Sequence, residues 1–363
     1  MLRATRRGLN GHITWPRCWQ YLLQSLSEGP TLGKAESGGG VRILVTGGAG
    51  FIGSHVVDAF LAAGHEVAVL DNLSTGRREN LNPSARFYGV DLRQAEAVNR
   101  VLSDFRPEVV DHHAAQSEVP KSVEDPICDA EINLLGGLNL LLASRATGVR
   151  KFIFISTGGA LYGEPDSVPC TEDAPIRPLS PYGTSKFCFE QYLGTFKRTF
   201  GLDYTVLRYA NIYGPRQGFE TEEGRVVAMF ASRMLLGRAV TIDGTGEQCR
   251  DMLYVSDAAC ANIAAVAAGS GETFNIGTGV PVSVNQIFEV LRDFTGYSLP
   301  PKHGPFRKGD VFKIALDSTK AARELGWTPE VSLRDGLAAT LDDFRRMPDL
   351  AGRLDAMSTS MPG

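Results

Sequence analysis

The stretch Ile43–Gly53, ILVTGGAGFIG, decides how this chain is read. An apolar run from Val41 to Val45 ends in Thr46, and Gly47, Gly50 and Gly53 follow at three-residue spacing. An apolar segment then opens with Ser54-His55-Val56-Val57. The pattern predicts a buried strand, a glycine-lined turn and the start of a helix. Small residues let the backbone approach a pyrophosphate closely, and a helix N-terminus presents free N–H groups to it. The spacing is G-x-x-G-x-x-G rather than the commoner G-x-G-x-x-G. Taken alone it also fits a tight strand–helix turn that binds nothing.

Asp71 favours the dinucleotide. It ends a second strand pattern, Glu66–Leu70, about twenty residues beyond the glycines, where an acid accepts both hydroxyls of an adenosine ribose. A carboxylate there repels a 2′-phosphate, so NAD is expected over NADP, a preference softened by Arg77 and Arg78. A solvated aspartate at a helix start is the plainer alternative.

Composition sets the frame. The chain has 363 residues, 43% hydrophobic and 21% charged, enough for two packed regions. A net charge of −4 gives no reason to expect a nucleic-acid surface. The six cysteines, Cys18, Cys128, Cys170, Cys188, Cys249 and Cys260, show no C-x-x-C spacing. They read as reduced thiols of a cytoplasmic protein, with neither a disulfide framework nor a metal site. No apolar run is read as long enough to span a membrane. Residues 1–40 look foreign to the rest, with Arg3, Arg6, Arg7 and Arg17 clustered before any acid and Ser37-Gly38-Gly39-Gly40 at the end. They are expected to be a disordered or spurious extension.

From Val41 onward, β-rich runs alternate with helical patterns. Strands are expected at Val41–Thr46, Glu66–Leu70, Arg86–Val90, Val109–His112, Phe152–Ser156 and Tyr204–Arg208. Helical segments lie between them, at Val56–Ala63, Ala95–Phe105, Leu134–Ser144 and Phe187–Thr199. The alternation predicts an α/β fold with a doubly wound parallel sheet of the Rossmann kind over 41–213. A smaller mixed α/β lobe is expected over 214–345, with helices near Val226–Leu236, Ala258–Ala267, Val284–Asp293 and Thr319–Glu324. Residues 346–363 read as a tail. A second substrate is expected in the cleft between the lobes.

Pro181-Tyr182-Gly183-Thr184-Ser185-Lys186 carries the candidate chemistry. On a helix, Tyr182 and Lys186 stand one turn apart on a shared face. An ammonium beside a phenol favours the phenolate and draws a tyrosine from its usual pKa of about 10 towards neutrality, where it serves as a general base. A Y-x-x-x-K pair alone is weak, and in isolation a packed tyrosine beside a solvated lysine is the better reading of it. Its place downstream of a dinucleotide turn, after a strand ending in Ser156-Thr157, favours the chemical reading.

These motifs resemble those of the extended short-chain dehydrogenases/reductases, the NAD-dependent epimerases and dehydratases of nucleotide sugars. The resemblance extends over nearly all of residues 41–345. It includes Asp71-Asn72-Leu73-Ser74-Thr75-Gly76, Asp91-Leu92, His113-Ala114-Ala115-Gln116, Asn133, Ser156–Gly163 and Leu207–Arg216. Within the family the 4-epimerases of UDP-sugars are the nearest likeness.

The resemblance implies a role for each matched position. Gly47, Gly50, Phe51, Ile52 and Gly53 hold the pyrophosphate, Asp71 and Asn72 the adenosine ribose, and Asp91 and Leu92 meet the adenine. Ala114, Ala115 and Gln116 line the nicotinamide side. Tyr182 is the base, and Lys186 supports it and the nicotinamide ribose. Asn211, Arg250 and Arg307 meet the substrate diphosphate, a role that suits the guanidinium fork. Without the family, each arginine reads as a surface ion pair. Many relatives carry a further Ser or Thr where Gly158 stands here, so the bridging hydroxyl is assigned to Thr157. The Thr-Asp-Glu of the sister 4,6-dehydratases is absent from Gly158-Gly159. Ile314, seven residues after Arg307, matches the position that sets pocket size, and its modest bulk is expected to admit an N-acetyl group.

The expected activity is therefore 4-epimerisation of UDP-glucose and UDP-galactose, and of their N-acetyl forms, with tightly held NAD. Uronic-acid sugars, a net 4-reductase or oxidoreductase, and a nucleotide-sugar binding protein without turnover are the alternatives. By resemblance the chain forms a homodimer through Val98–Phe105 or Leu134–Ser144 with Phe187–Thr199.

Overall fold

The computed structural model describes residues 40–218, 225–306 and 311–360. The first 39 residues of the expected extension, and Arg307, lie outside the described residues.

Seven strands form one parallel sheet: β1 (Arg42–Thr46), β2 (Glu66–Leu70), β3 (Arg86–Tyr88), β4 (Val109–His112), β5 (Lys151–Thr157), β6 (Asp203–Tyr209) and β10 (Glu272–Ile276). Their order is β10-β6-β5-β4-β1-β2-β3, so the winding reverses between β1 and β4. Ile43 pairs with Val67 on one side and Val109 on the other, which brings Thr46, Leu70 and His112 level at the carboxyl edge. Strands such as RILVT and KFIFIST are apolar throughout because both sheet faces are covered. Ile43 and Val45 face the helices Phe51–Ala62 and Val255–Ala267, whereas Leu44 faces Ala95–Phe105, Gly137–Thr147 and Pro181–Phe200.

The expected doubly wound sheet is present, with differences that have physical causes. The first helix begins at Phe51, five residues before the expected Val56, because the turn closes at Gly50. Strand β3 ends at Tyr88, short of Val90. The chain also returns to the sheet from beyond Gly214. The alanine-rich helix Val255–Ala267 packs on one face, and β10 pairs in parallel with β6.

The remaining elements build a smaller lobe. Strands β7 (Asn211–Tyr213), β9 (Cys249–Tyr254) and β11 (Pro281–Ser283) form a mixed sheet, and β8 (Thr241–Asp243) pairs with β12 (Lys302–Gly304). Their core is shared with the helices Arg225–Leu235, Val284–Thr295 and Leu333–Arg346. At the junction of the lobes, Arg216 Nη2 meets Asp58 Oδ2 at 2.6 Å while its backbone N–H donates to Asp343 Oδ2 at 3.0 Å.

One expectation needs correction. The continuous helical stretch Pro126–Thr147 reaches the length and mean hydropathy of a membrane span. Part of it serves the fold: Leu140, Leu141 and Ala143 sit in the sheet core, and the stretch also carries buried Asp129 and Asn133.

Candidate active site

The glycine turn brings three segments within contact. Gly47 has φ +69°, a left-handed conformation that favours glycine, and a Cβ there would lie 2.7 Å from the backbone N of Ala114. A Cβ on Gly53 would overlap the Gly47 carbonyl, and the Gly50 N–H donates to that carbonyl at 3.0 Å. Phe51 and Ile52 open the helix that follows.

Asp71 is buried at the end of β2 and anchored to this turn. Its Oδ2 accepts from the Ala49 N–H at 3.0 Å and its Oδ1 from the Leu73 N–H at 2.8 Å. Burial pushes its carboxyl pKa up, against those two hydrogen bonds. Asn72 donates to Asp91 Oδ2 at 2.9 Å, and Asp91 also receives a two-pronged Arg93. The Arg93 guanidinium holds Asp91 well below the usual carboxylate range. Leu92 is buried beside it, its carbonyl accepting from Asn139 at 3.0 Å. Arg77 lies 3.8 Å from Glu79, and the Arg78 guanidinium sits over the Phe87 ring.

Beyond β4, the Ala114 N–H donates to Thr46 Oγ1 at 3.2 Å, and that hydroxyl pairs with His112 Nδ1 at 2.7 Å. His112 is packed among Phe152, Phe154 and Phe189. Burial, reinforced by the Lys186 charge, pushes its pKa well below the usual value and keeps it neutral. Ala114 and Ala115 are half-buried and Gln116 is buried.

Helix Pro181–Phe200 carries the tyrosine–lysine pair. Ser180 caps it by accepting from the Gly183 N–H at 3.2 Å, Pro181 occupies the first turn, and Gly201 closes it at φ +74°. Such a cap contributes about 1 kcal/mol. Tyr182 and Lys186 are both buried, and the lysine Nζ lies 5.9 Å from the tyrosine ring centre. That Nζ donates to the Ile155 carbonyl at 2.9 Å and stands 4.9 Å from the Phe154 ring centre.

Thr157 ends β5, its Oγ1 accepting from the Ala160 N–H at 3.2 Å. A Cβ on Gly158 would lie 2.7 Å from Leu316 Cδ2, so Leu316 fills the space beside this glycine. A Cβ on Gly159 would stand 3.6 Å from Asn211 Oδ1 and 3.9 Å from Thr157 Oγ1, which puts those two side chains beside one glycine. The second tyrosine of this region is of another kind. Tyr162 donates to Asn275 Oδ1 at 2.7 Å and accepts from Arg208 Nη1 at 2.9 Å. Burial pushes its pKa up to about 12, unsuited to proton transfer near neutrality.

The smaller lobe supplies the rest. Arg250 lies on β9, its Nη1 donating to the Cys249 carbonyl at 3.0 Å. The neighbouring Asp251 is buried and accepts from Thr278, Gly279 and Leu316. Ile314 is 2% exposed, packed with Tyr162, Cys170, Val311 and Leu316. The structure thus gathers the glycine turn, Asp71, the Ala114–Gln116 segment, Thr157, Tyr182 and Lys186 on the carboxyl side of the sheet. Ile314 lies in the cluster around Tyr162. Sequence reading missed Asp129, Glu190, Arg208 and Asp251, whose buried partners lie far along the chain.

A dinucleotide of the NAD type fits this arrangement. The glycines let the turn close tightly on its own backbone and on Ala114, and Asp71 is fixed to it through the Ala49 N–H. Residues 43–277 match the model of the NAD dependent epimerase/dehydratase family. A putative UDP-glucose 4-epimerase of Methanocaldococcus jannaschii is 44% identical over 296 residues, covering 81% of this chain and 95% of the relative. The UDP-glucose 4-epimerase of Thermotoga maritima, solved with UDP-glucose, superposes with a TM-score of 0.82 at 52% identity, covering 84% of this chain and 99% of that one. The Thermus thermophilus UDP-glucose 4-epimerase, solved with NAD, gives a TM-score of 0.81 at 46% identity, covering 85% and 100%. The chain therefore belongs to the NAD dependent epimerase/dehydratase family.

Proposed function

We propose that the chain is a nucleotide-sugar 4-epimerase that interconverts UDP-glucose and UDP-galactose and also accepts their N-acetyl forms. The carrying observation is the buried Tyr182–Lys186 pair, one helical turn apart, on the sheet edge that also holds the glycine turn. Gly47, Gly50, Phe51, Ile52 and Gly53 hold the pyrophosphate of NAD, Asp71 and Asn72 its adenosine ribose, and Asp91 and Leu92 its adenine. Ala114, Ala115 and Gln116 flank the nicotinamide. When bound, NAD supplies a hydride acceptor and donor.

Tyr182 takes the proton of the sugar 4-hydroxyl and later returns it. Lys186 stabilises the phenolate and binds the nicotinamide ribose. Thr157 bridges substrate and base. Asn211, Arg250 and Arg307 anchor the diphosphate while the transient 4-keto sugar turns over, so that C4 is presented from either face. Ile314 sets the room beside C2.

The working unit in this reading is a homodimer. Ile127, Leu135 and Leu142 are exposed along one helical stretch, and Tyr192 and Phe200 on the helix beside it, an apolar face of the kind that protein contacts cover. The described cysteines are all free thiols, which suits the cytoplasm. The test is separation of the UDP-sugars formed from UDP-galactose by the purified protein. Unchanged UDP-galactose in the presence of NAD contradicts the assignment.

A further inference from the structure

One buried carboxylate joins the segment after β4 to the helix that carries Tyr182. Asp129 is fully buried. Its Oδ1 accepts from Gln116 Nε2 at 3.1 Å and from Asn133 Nδ2 at 2.9 Å, and its Oδ2 accepts from Ser185 Oγ at 2.6 Å. Gln116, Asn133 and Ser185 are buried as well. A carboxylate accepts only, so the donors converge on it without conflict.

Asn133 clamps the Gln116 backbone in turn. Its Oδ1 accepts from the Gln116 N–H and its Nδ2 donates to the Gln116 carbonyl, each at 2.9 Å. Asn133 lies in a π-helical turn, Glu131–Gly136, the kind of local irregularity that frequently marks functional positions. On the other side, Ser185 directly precedes Lys186 and stands three residues after Tyr182. A continuous hydrogen-bonded path therefore runs from the Gln116 backbone through Asn133 and Asp129 to the helix of the proton-transfer pair.

Stability alone gives little reason for this arrangement. A buried carboxylate carries a desolvation penalty that apolar packing of similar volume avoids. We propose that Asp129 is a positioning residue, which fixes the spacing between the Ala114–Gln116 segment and the Tyr182–Lys186 face through Ser185, Asn133 and Gln116. The proposal rests on the reading of those two sides as the nicotinamide wall and the proton-transfer pair.

The test compares wild type, Asp129→Asn and Ser185→Ala. Three readouts are taken: kcat and KM for UDP-galactose per bound NAD, the pH profile of kcat, and the emission spectrum of NADH bound to each protein. Displacement of the pair lowers kcat roughly 10- to 100-fold with KM within about twofold. Asp129→Asn removes a negative charge and moves the acidic limb of the profile to lower pH, whereas Ser185→Ala keeps the charge and leaves the limb in place. Bound NADH shifts its emission in both variants. A purely structural role lowers the melting temperature and the loaded fraction but moves neither kcat per bound NAD nor the emission of bound NADH. Should Asp129→Asn fail to fold, Ser185→Ala decides: unchanged kcat per bound NAD and unchanged emission overturn the proposal. A wild type without epimerase turnover contradicts the proposed function instead, and the NADH spectra then decide the role of Asp129 by themselves.

Discussion

Lys186 holds its Nζ 5.9 Å from the centre of the Tyr182 ring while donating to the Ile155 carbonyl at 2.9 Å. The ammonium is thus tied to the sheet on one side and faces the phenol on the other. Tyr162, another buried tyrosine of this region, is committed to Arg208 and Asn275 instead. Tyr182→Phe is expected to lower kcat by about 10²- to 10⁴-fold, the usual loss when a general base is removed. NAD remains bound, since the phenol is not needed for the pyrophosphate turn. Turnover of the variant and its cofactor content after denaturation check both halves of this prediction.

Leu316 packs against Gly158, in the space that a side chain there would need. Gly158→Ser therefore forces Leu316 to move, at about 1–3 kcal/mol, the usual range for overpacking. Adding Leu316→Ala should recover the part of the loss caused by that overlap. Urea midpoints for Gly158→Ser, Leu316→Ala and the double variant measure it, and losses that simply add show that the overlap is harmless.

Ile314 packs with Tyr162 in a small buried cluster. Ile314→Tyr is expected to lower kcat/KM for the N-acetyl sugars more than for UDP-galactose, by about tenfold in the ratio, the order of magnitude for a crowded apolar pocket. An unchanged ratio removes Ile314 from the specificity assignment.

Glu190 and Arg208 form a buried pair, with Nε to Oε1 at 3.1 Å and Nη2 to Oε2 at 2.6 Å, and Ser156 donates to the same carboxylate at 2.6 Å. Glu190→Gln leaves the guanidinium buried beside a neutral amide. The expected loss is about 3–5 kcal/mol of stability, read as a lowered urea midpoint. A midpoint equal to wild type shows that the pair contributes nothing net.

His55 gives the fold a pH dependence. Burial, assisted by Arg216, lowers its pKa from 6.5 to about 4. The folded state therefore resists a proton that the unfolded chain accepts below pH 6.5. Stability is full above that value and falls as pH drops towards 4, by about 3 kcal/mol at most. His55→Gln keeps a donor for the Pro215 carbonyl, which His55 Nε2 meets at 2.9 Å, and removes the titration. Its urea midpoint should fall less than that of wild type between pH 6.5 and 4.

Much of this was legible before any coordinates. Strands covered on both faces read as apolar runs, so the strands β1 to β6 were placed along the chain from the sequence. Tyr182 and Lys186 are local neighbours, and local spacing is what a sequence displays. Strand β10 was not read, because Glu272–Ile276, ETFNI, breaks its apolar run with polar residues and owes its place to pairing with β6. Asp129 was hidden for a related reason. Gln116 lies 13 residues before it and Ser185 lies 56 after it, so only folding shows that one carboxylate serves both. Gly158 was visible as a departure from the expected pattern, but its contact with Leu316 joins segments far apart in the chain.

The central claim is that one hydride leaves C4 and returns to the same carbon without exchange. UDP-galactose deuterated at C4 is incubated with the purified protein, no cofactor added, and the UDP-glucose formed is analysed by mass. Full retention of deuterium at C4 is the predicted result. UDP-glucose that has lost the label, or a 4-keto product released with reduced cofactor, contradicts it.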